Sequence, residues 1–200
     1  MLSFLLSLPI IGSVFLLLIN FVKKVSNEFI KFVALLIAIL EFILSLLLPF
    51  NWNSNSYYSF IKNNFIDSVS INTEFQFAEL VKIWQNLSVD GLSIILIILT
   101  TFLILICLII SIDTIKNDLI LYVISFLVME TLLIGVFSST SLFAFYIFFE
   151  GILIPMYLII GIWGSRSRKS KAGNYLFFYT FVGSIFMLLG LISIGFDSFG

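Results

Sequence analysis

Histidine is absent from the 200 residues, and cysteine occurs once, at Cys107 inside an apolar run. Without an imidazole or a second thiol, this chain alone cannot assemble a zinc site, a disulfide framework, a haem attachment or a cysteine–histidine nucleophile. Redox chemistry is therefore expected elsewhere, with no cofactor on this chain. Charge is scarce as well: ten basic and eleven acidic residues leave a net charge of -1, which excludes a nucleic-acid binder relying on a large basic face. Charged residues make up 10% of the chain, against about a quarter in a soluble domain. What is abundant is apolar: 61% of residues, with a mean hydropathy of +1.21. A helix needs roughly 20 apolar residues to cross a hydrocarbon layer about 30 Å thick. The chain reads as an all-α polytopic membrane protein.

Its spans can be walked in order. Leu2 to Val22 carries no charge before Lys23 and Lys24, and it lacks a basic leader region and a small-residue cleavage site. It therefore reads as a retained helix and not a signal peptide. Phe29 to Leu48 is a second span, ended by Pro49 and containing Glu41. Residues 50–88 bring Asn, Ser, Tyr and scattered charge and cannot cross. They read as an interfacial or extramembrane loop, partly helical around Glu74 to Trp84, with Trp52, Tyr57, Tyr58 and Trp84 suited to the membrane–water boundary. Four further spans follow: Asp90 to Ile112, Leu119 to Phe137, Ser141 to Trp163 and Ala172 to about Phe196. The organisation is two helices in 1–49, a loop in 50–88 and four helices in 89–200, six spans in all.

The connections carry an orientation signal, because short loops on the cytoplasmic or matrix side collect Lys and Arg. Lys23, Lys24, Lys31, Lys116, Arg166, Arg168, Lys169 and Lys171, eight of the ten basic residues, fall on one side. Lys62, Lys82, the uncharged turn Ser138 to Thr140 and both chain ends fall on the other. The termini are thus predicted to face the periplasm or the intermembrane space. The run Arg166 to Lys171 reads first as a topology anchor, the alternative being a specific lipid or partner site; membrane lipids are expected around the spans.

Carboxylates inside such spans stand out, since each costs about 2.5 to 3.5 kcal/mol at the bilayer centre on insertion scales. Glu150 lies nine residues into the fifth span, roughly 14 Å deep at about 1.5 Å per residue. Glu130 lies ten residues before Thr140, as Glu150 lies ten after it, so the two are predicted level on adjoining antiparallel helices. Two readings stay open. Either both face the hairpin interior and share a proton or a basic partner, or Glu130 points elsewhere and pairs with a neighbouring chain. Pro155, five residues after Glu150, removes the helical partner of the Gly151 carbonyl; that is either a wet point on a proton path or an ordinary kink. Glu41 has no companion feature and reads as a lateral contact or buried pair.

The strings FYIFFEGILIPMYLIIGIWG, Phe145 to Gly164, and KAGNYLFFYTFVGSIFMLLG, Lys171 to Gly190, resemble the antiporter-like subunit 4 family of the proton-pumping NADH:quinone oxidoreductase, complex I. VDGLS, Val89 to Ser93, fits the same family but is shared with Mrp-type cation/proton antiporters. The resemblance implies a proton-translocating subunit of about fourteen helices, without its own redox chemistry, embedded among the other membrane-arm subunits. The abundance of Phe, Ile and Asn resembles mitochondrial coding, implying a mitochondrial inner membrane, with a bacterial plasma membrane as the alternative. Glu150 falls on the family's glutamate of the fifth helix, which there faces a lysine on an interrupted seventh helix. That helix is not among the 200 residues, and Lys171 lies in a loop and is no substitute. The expectation is a split subunit whose second chain supplies the remaining helices, the other case being a fragment. The rival functions are an Mrp-type antiporter subunit and a structural half-subunit without its own proton path.

Overall fold

The computed structural model describes residues 2–22, 27–51, 87–115, 118–164 and 167–199. They form six helices: α1 Leu2–Val22, α2 Asn27–Asn51, α3 Gly91–Thr114, α4 Leu119–Ser138, α5 Leu142–Trp163 and α6 Lys169–Phe199. All six are long and apolar enough to cross a membrane. The proposed interfacial features between 52 and 86, together with Lys23, Lys24, Lys116 and Arg166, lie outside the described residues.

Helix bounds exceed the sequence-predicted spans where polar residues extend a helix past the hydrocarbon. α2 starts at Asn27, where Lys31 pairs with Glu28 at 3.2 Å, and continues two residues past Pro49 to Asn51. A proline in the last turn forfeits one hydrogen bond near a helix end, where carbonyls lack partners anyway, so it need not stop the helix at once. α6 likewise begins at Lys169 and not at Ala172, taking two lysines into its first turn.

α1 packs on α2 and α4, α2 on α3, α3 on α4, α4 on α5, and α5 on α6. The first four therefore enclose a common interior, and the last two form an outer pair attached through α4. The inward face of α2 is a helical stripe of Ile30, Ala34, Ile37, Ala38, Glu41, Ser45 and Leu48; that of α3 runs Ile94, Ile97, Thr101, Ile104, Leu108 and Ser111. Two apolar clusters fill the space between. One centres on Ala38, Leu108, Val123 and Leu127, the other on Leu5, Leu6, Ile97 and Ile134.

The ends are tied by short-range polar contacts. Asp90 caps α3 by accepting from the Gly91 N–H at 2.6 Å. Just before it, the Ser88 N–H donates to the Ser138 carbonyl at 2.9 Å, and Leu87 pairs with Ser139. The start of α3 and the end of α4 thus share one end of the bundle, as alternating spans require. At the other end Gly164 closes α5, where an added Cβ would lie 2.5 Å from the Ile160 carbonyl oxygen. The Lys169 ammonium donates to the Ile162 carbonyl, placing a cation where α5's helix dipole is negative.

Candidate functional site

All three intramembrane carboxylates lie within three residues of the middle of their helices, Glu41 on α2, Glu130 on α4 and Glu150 on α5. They are not equivalent. Glu41 and Glu130 are each 0% exposed, whereas Glu150 is half-buried with its Oε2 enclosed. None of these enclosed oxygens, two on Glu41, two on Glu130 and Oε2 of Glu150, has a hydrogen-bond partner among the described residues.

The contact between α4 and α5 is close because glycines permit it. A Cβ on Gly135 would fall 2.7 Å from the Phe148 ring, and one on Gly151 3.1 Å from Leu132. These contacts set the register: Gly135 faces Phe148 and Leu132 faces Gly151, so Glu130 stands opposite Leu153. Glu150 is then three residues away, about 4.5 Å along the axis and less than one helical pitch.

Depth brings Glu130 and Glu150 together, but rotation separates them. Glu130 turns toward the interior of the first four helices, as Glu41 does. Glu150 lies on the outward stripe of α5, one turn from exposed Ile147 and from Ile154, which is 64% exposed. The full burial of Glu130 turns it away from the outward stripe that carries Glu150, and its carboxyl oxygens have no hydrogen-bond partner among the described residues. Glu41, read from sequence as a lateral contact or buried pair, is fully buried on the inward stripe of α2. The signal was on its own helix: Ala34, Ala38 and Ser45 share the stripe of Glu41, and small or polar residues mark interior faces in membrane helices. Ser45 and Thr101, a 2.9 Å hydroxyl pair between α2 and α3, lie one turn beyond it and were not singled out from the sequence.

Pro155 is buried, and α5 runs unbroken across it. Its ring nitrogen cannot donate, so the carbonyl of Gly151, next to Glu150, has no helical N–H to accept from. On the α6 side, Tyr157 donates to Asn174 Oδ1 at 3.1 Å and its ring meets that of Phe177 edge-on at 5.9 Å. Continuing that antiparallel register brings Glu150 opposite residues 180–184, within about one turn of Ser184, the most enclosed polar residue among the described part of α6. Chemically, Glu150 offers a carboxyl group at mid-helix depth, beside a carbonyl that lacks its usual helical donor, on the outward stripe of α5. Among the described residues no cluster of three or more His, Cys, Asp and Glu side chains could hold a metal.

Residues 139–197 match a family model described as NADH:quinone oxidoreductase/Mrp antiporter, transmembrane. Over 192 residues, 95% of this chain and 36% of the relative, the sequence is 42% identical to NADH-ubiquinone oxidoreductase chain 4 of Chondrus crispus. It is 40% identical over 189 residues to NADH-quinone oxidoreductase subunit M of Rickettsia prowazekii (strain Madrid E), covering 94% of this chain and 36% of that one. A shorter stretch of 108 residues, 54% of this chain and 22% of the relative, is 55% identical to NADH-ubiquinone oxidoreductase chain 4 of Metridium senile. The chain spans a little over a third of the length of the first of these relatives, 36%. The likeness takes in nearly the whole chain, residues before Val89 included, and bears out the resemblance carried by Phe145 to Gly164 and Lys171 to Gly190.

Proposed function

We propose that this chain, a portion of an antiporter-like subunit 4, serves in the proton-translocating membrane arm of a respiratory NADH:quinone oxidoreductase and supplies half of a proton path through Glu150. The observation that carries the reading is the placement of Glu150: mid-helix, on the outward stripe of α5, with an enclosed oxygen that no described group satisfies. A carboxyl group at such depth can hold a proton as the neutral acid, and a cation brought beside it favours the ionised form. An ammonium moving toward and away from that face would therefore release and reload a proton. The partner group comes from helices outside these 200 residues, on a second chain or on a longer product, and the remaining neighbours are other membrane-arm subunits and lipid. Gly151's carbonyl supplies a polar foothold for water beside the acid. Glu130, enclosed within the first four helices, is left off this path.

The chain is a multi-pass membrane protein, and we place it in the mitochondrial inner membrane or its bacterial counterpart with both ends on the outer side. Alternation of the helices puts Lys31, Arg168, Lys169 and Lys171 at one end, which supports that orientation. Redox chemistry is assigned to other subunits. Glu150→Gln in the intact complex tests the proposal. Proton pumping should fall about tenfold or more while the assembled complex stays at wild-type abundance. Undiminished pumping would instead make the chain a structural element of the arm, and pumping that depends on sodium would favour the Mrp-type reading.

A further inference from the structure

We propose that the groove between α5 and α6, from Gly161 past the Tyr157–Asn174 pair and Thr180, is the wet route by which protons reach Glu150 from the basic end of the bundle, with Tyr157 as the residue that positions its water. The proposal rests on the reading of Glu150 as part of a proton path and adds the side from which that acid is served. Glu150, Ile154, Tyr157 and Gly161 fall within an arc of about 60° on α5. They make one stripe from the middle of the helix toward its end at Trp163, where Arg168, Lys169 and Lys171 lie close by on the turn and the start of α6. Tyr157 is about 9 Å inside that end, and Glu150 about 10 Å deeper. A proton crossing such a depth through apolar surroundings needs water, and water stays only where polar groups hold it.

The stripe supplies such groups in sequence. At Gly161 an added Cβ would meet nothing within 4 Å, so the outer end of the groove is open. One turn further in, the Tyr157 hydroxyl donates to Asn174 Oδ1 at 3.1 Å. The tyrosine ring packs on Gly173, where a Cβ would lie 3.4 Å from it, and meets Phe177 edge-on. These contacts fix the hydroxyl while leaving its oxygen able to accept, and the Asn174 amide N–H groups donate to no described group. The same register sets Thr180 opposite residues 150–154; its hydroxyl donates to the Leu176 carbonyl at 2.6 Å, and its oxygen too can accept. Last comes the Gly151 carbonyl, which lacks its helical donor because of Pro155. No gap between successive polar groups exceeds about 9 Å along the axis, a distance that two or three waters bridge. Toward α4 the Gly135–Phe148 and Gly151–Leu132 contacts leave no such room.

Two measurements on the intact membrane complex test the route. In a Cys107→Ser background, a small charged methanethiosulfonate reagent applied from the basic end should label Ile154→Cys, between Tyr157 and Glu150, about tenfold faster than Phe186→Cys on the far side of α6, because such a thiol reacts as the thiolate and only where water reaches it. Adding Tyr157→Phe should slow the labelling of Ile154→Cys. Alone, Tyr157→Phe keeps the ring on Phe177, removes only the hydroxyl, and should lower proton pumping about tenfold at wild-type abundance of the complex. Gly161→Leu, which fills the open end without touching the pair, should do the same, and it decides the matter if Tyr157→Phe does not assemble. Equal labelling at Ile154→Cys and Phe186→Cys would overturn the proposal. Slowed pumping in Tyr157→Phe with labelling unchanged would make Tyr157 a structural residue and overturn its role. Wild-type pumping in both Tyr157→Phe and Gly161→Leu, with pumping impaired in Glu150→Gln, would overturn the route and leave the reading of Glu150 standing; wild-type pumping in Glu150→Gln as well would remove both.

Discussion

The inner four helices and the outer pair solve the problem of apolar sequence differently. More than half of α4's most apolar stretch, 56%, is buried within the chain, against 6% for α6. In α1 to α4 the polar groups are enclosed: Glu41, Glu130, Ser45, Thr101 and Thr131 all point inward, and the hydroxyls find partners on their own or neighbouring helices. In α5 and α6 apolar side chains such as Ile147, Ile154, Tyr179 and Phe186 stand outward, and Glu150 lies on the stripe of the first two. Full enclosure leaves a carboxyl group only the company this chain supplies. Partial exposure leaves one open to a group from outside it, and that is why Glu150, and not the more deeply buried pair, is assigned the shared path.

The comparison can be broken most sharply in the cores. Leu127→Ala or Ile134→Ala, at fully buried positions, should cost about 2–5 kcal/mol in thermal unfolding of the purified chain, whereas Tyr179→Ala on α6 should cost under about 0.5 kcal/mol. An equal loss at both places would erase the distinction between the regions. If Tyr179→Ala becomes costly only in the assembled complex, α6 is covered there by another helix.

The seam between the regions comes next. Gly135→Leu drives a side chain into the Phe148 ring and should destabilise the α4–α5 contact by about 1–3 kcal/mol. Cysteine cross-linking between the two helices would report it as lost efficiency, and unchanged efficiency would mean that the helices are not packed this closely.

Two smaller effects sharpen the inner region. Asp90→Ala removes the cap of α3 and should lower stability by about 1 kcal/mol, read as a shift in the melting temperature that an Asp90→Asn variant largely restores. Ser45→Ala breaks the hydroxyl pair with Thr101 and should cost about 0.6 kcal/mol, the average for such bonds in membranes. A Ser45→Ala/Thr101→Val double-mutant cycle with no coupling would remove that contact from the account.

Apolar run length alone located all six helices, and for α1 even its ends, because hydrocarbon thickness fixes how many residues must be apolar. Counting from the Ser138 to Thr140 turn also placed Glu130 and Glu150 within one pitch of each other. What counting could not supply was rotation. These helices are apolar on nearly every face, so the usual contrast between wet and dry sides is missing and the inward side is marked only by small and polar residues such as Ala38 and Ser45. The inward turn of Glu41 and Glu130 depended on that missing information, as did the outward turn of Glu150. Helix ends were misjudged for a related reason: span counting finds the limits of the hydrocarbon, while Asn27 and Lys169 start their helices beyond it.

The central claim is that Glu150 is completed from outside these 200 residues. It is tested most directly by measuring, in an experimental structure of the assembled membrane complex, the distance from the Glu150 carboxyl group to the nearest ammonium nitrogen. The account predicts a lysine-bearing helix from beyond this sequence packed against α5 and α6, within one bridging water of Glu150. A Glu150 surrounded only by lipid and by apolar side chains of this chain would contradict it.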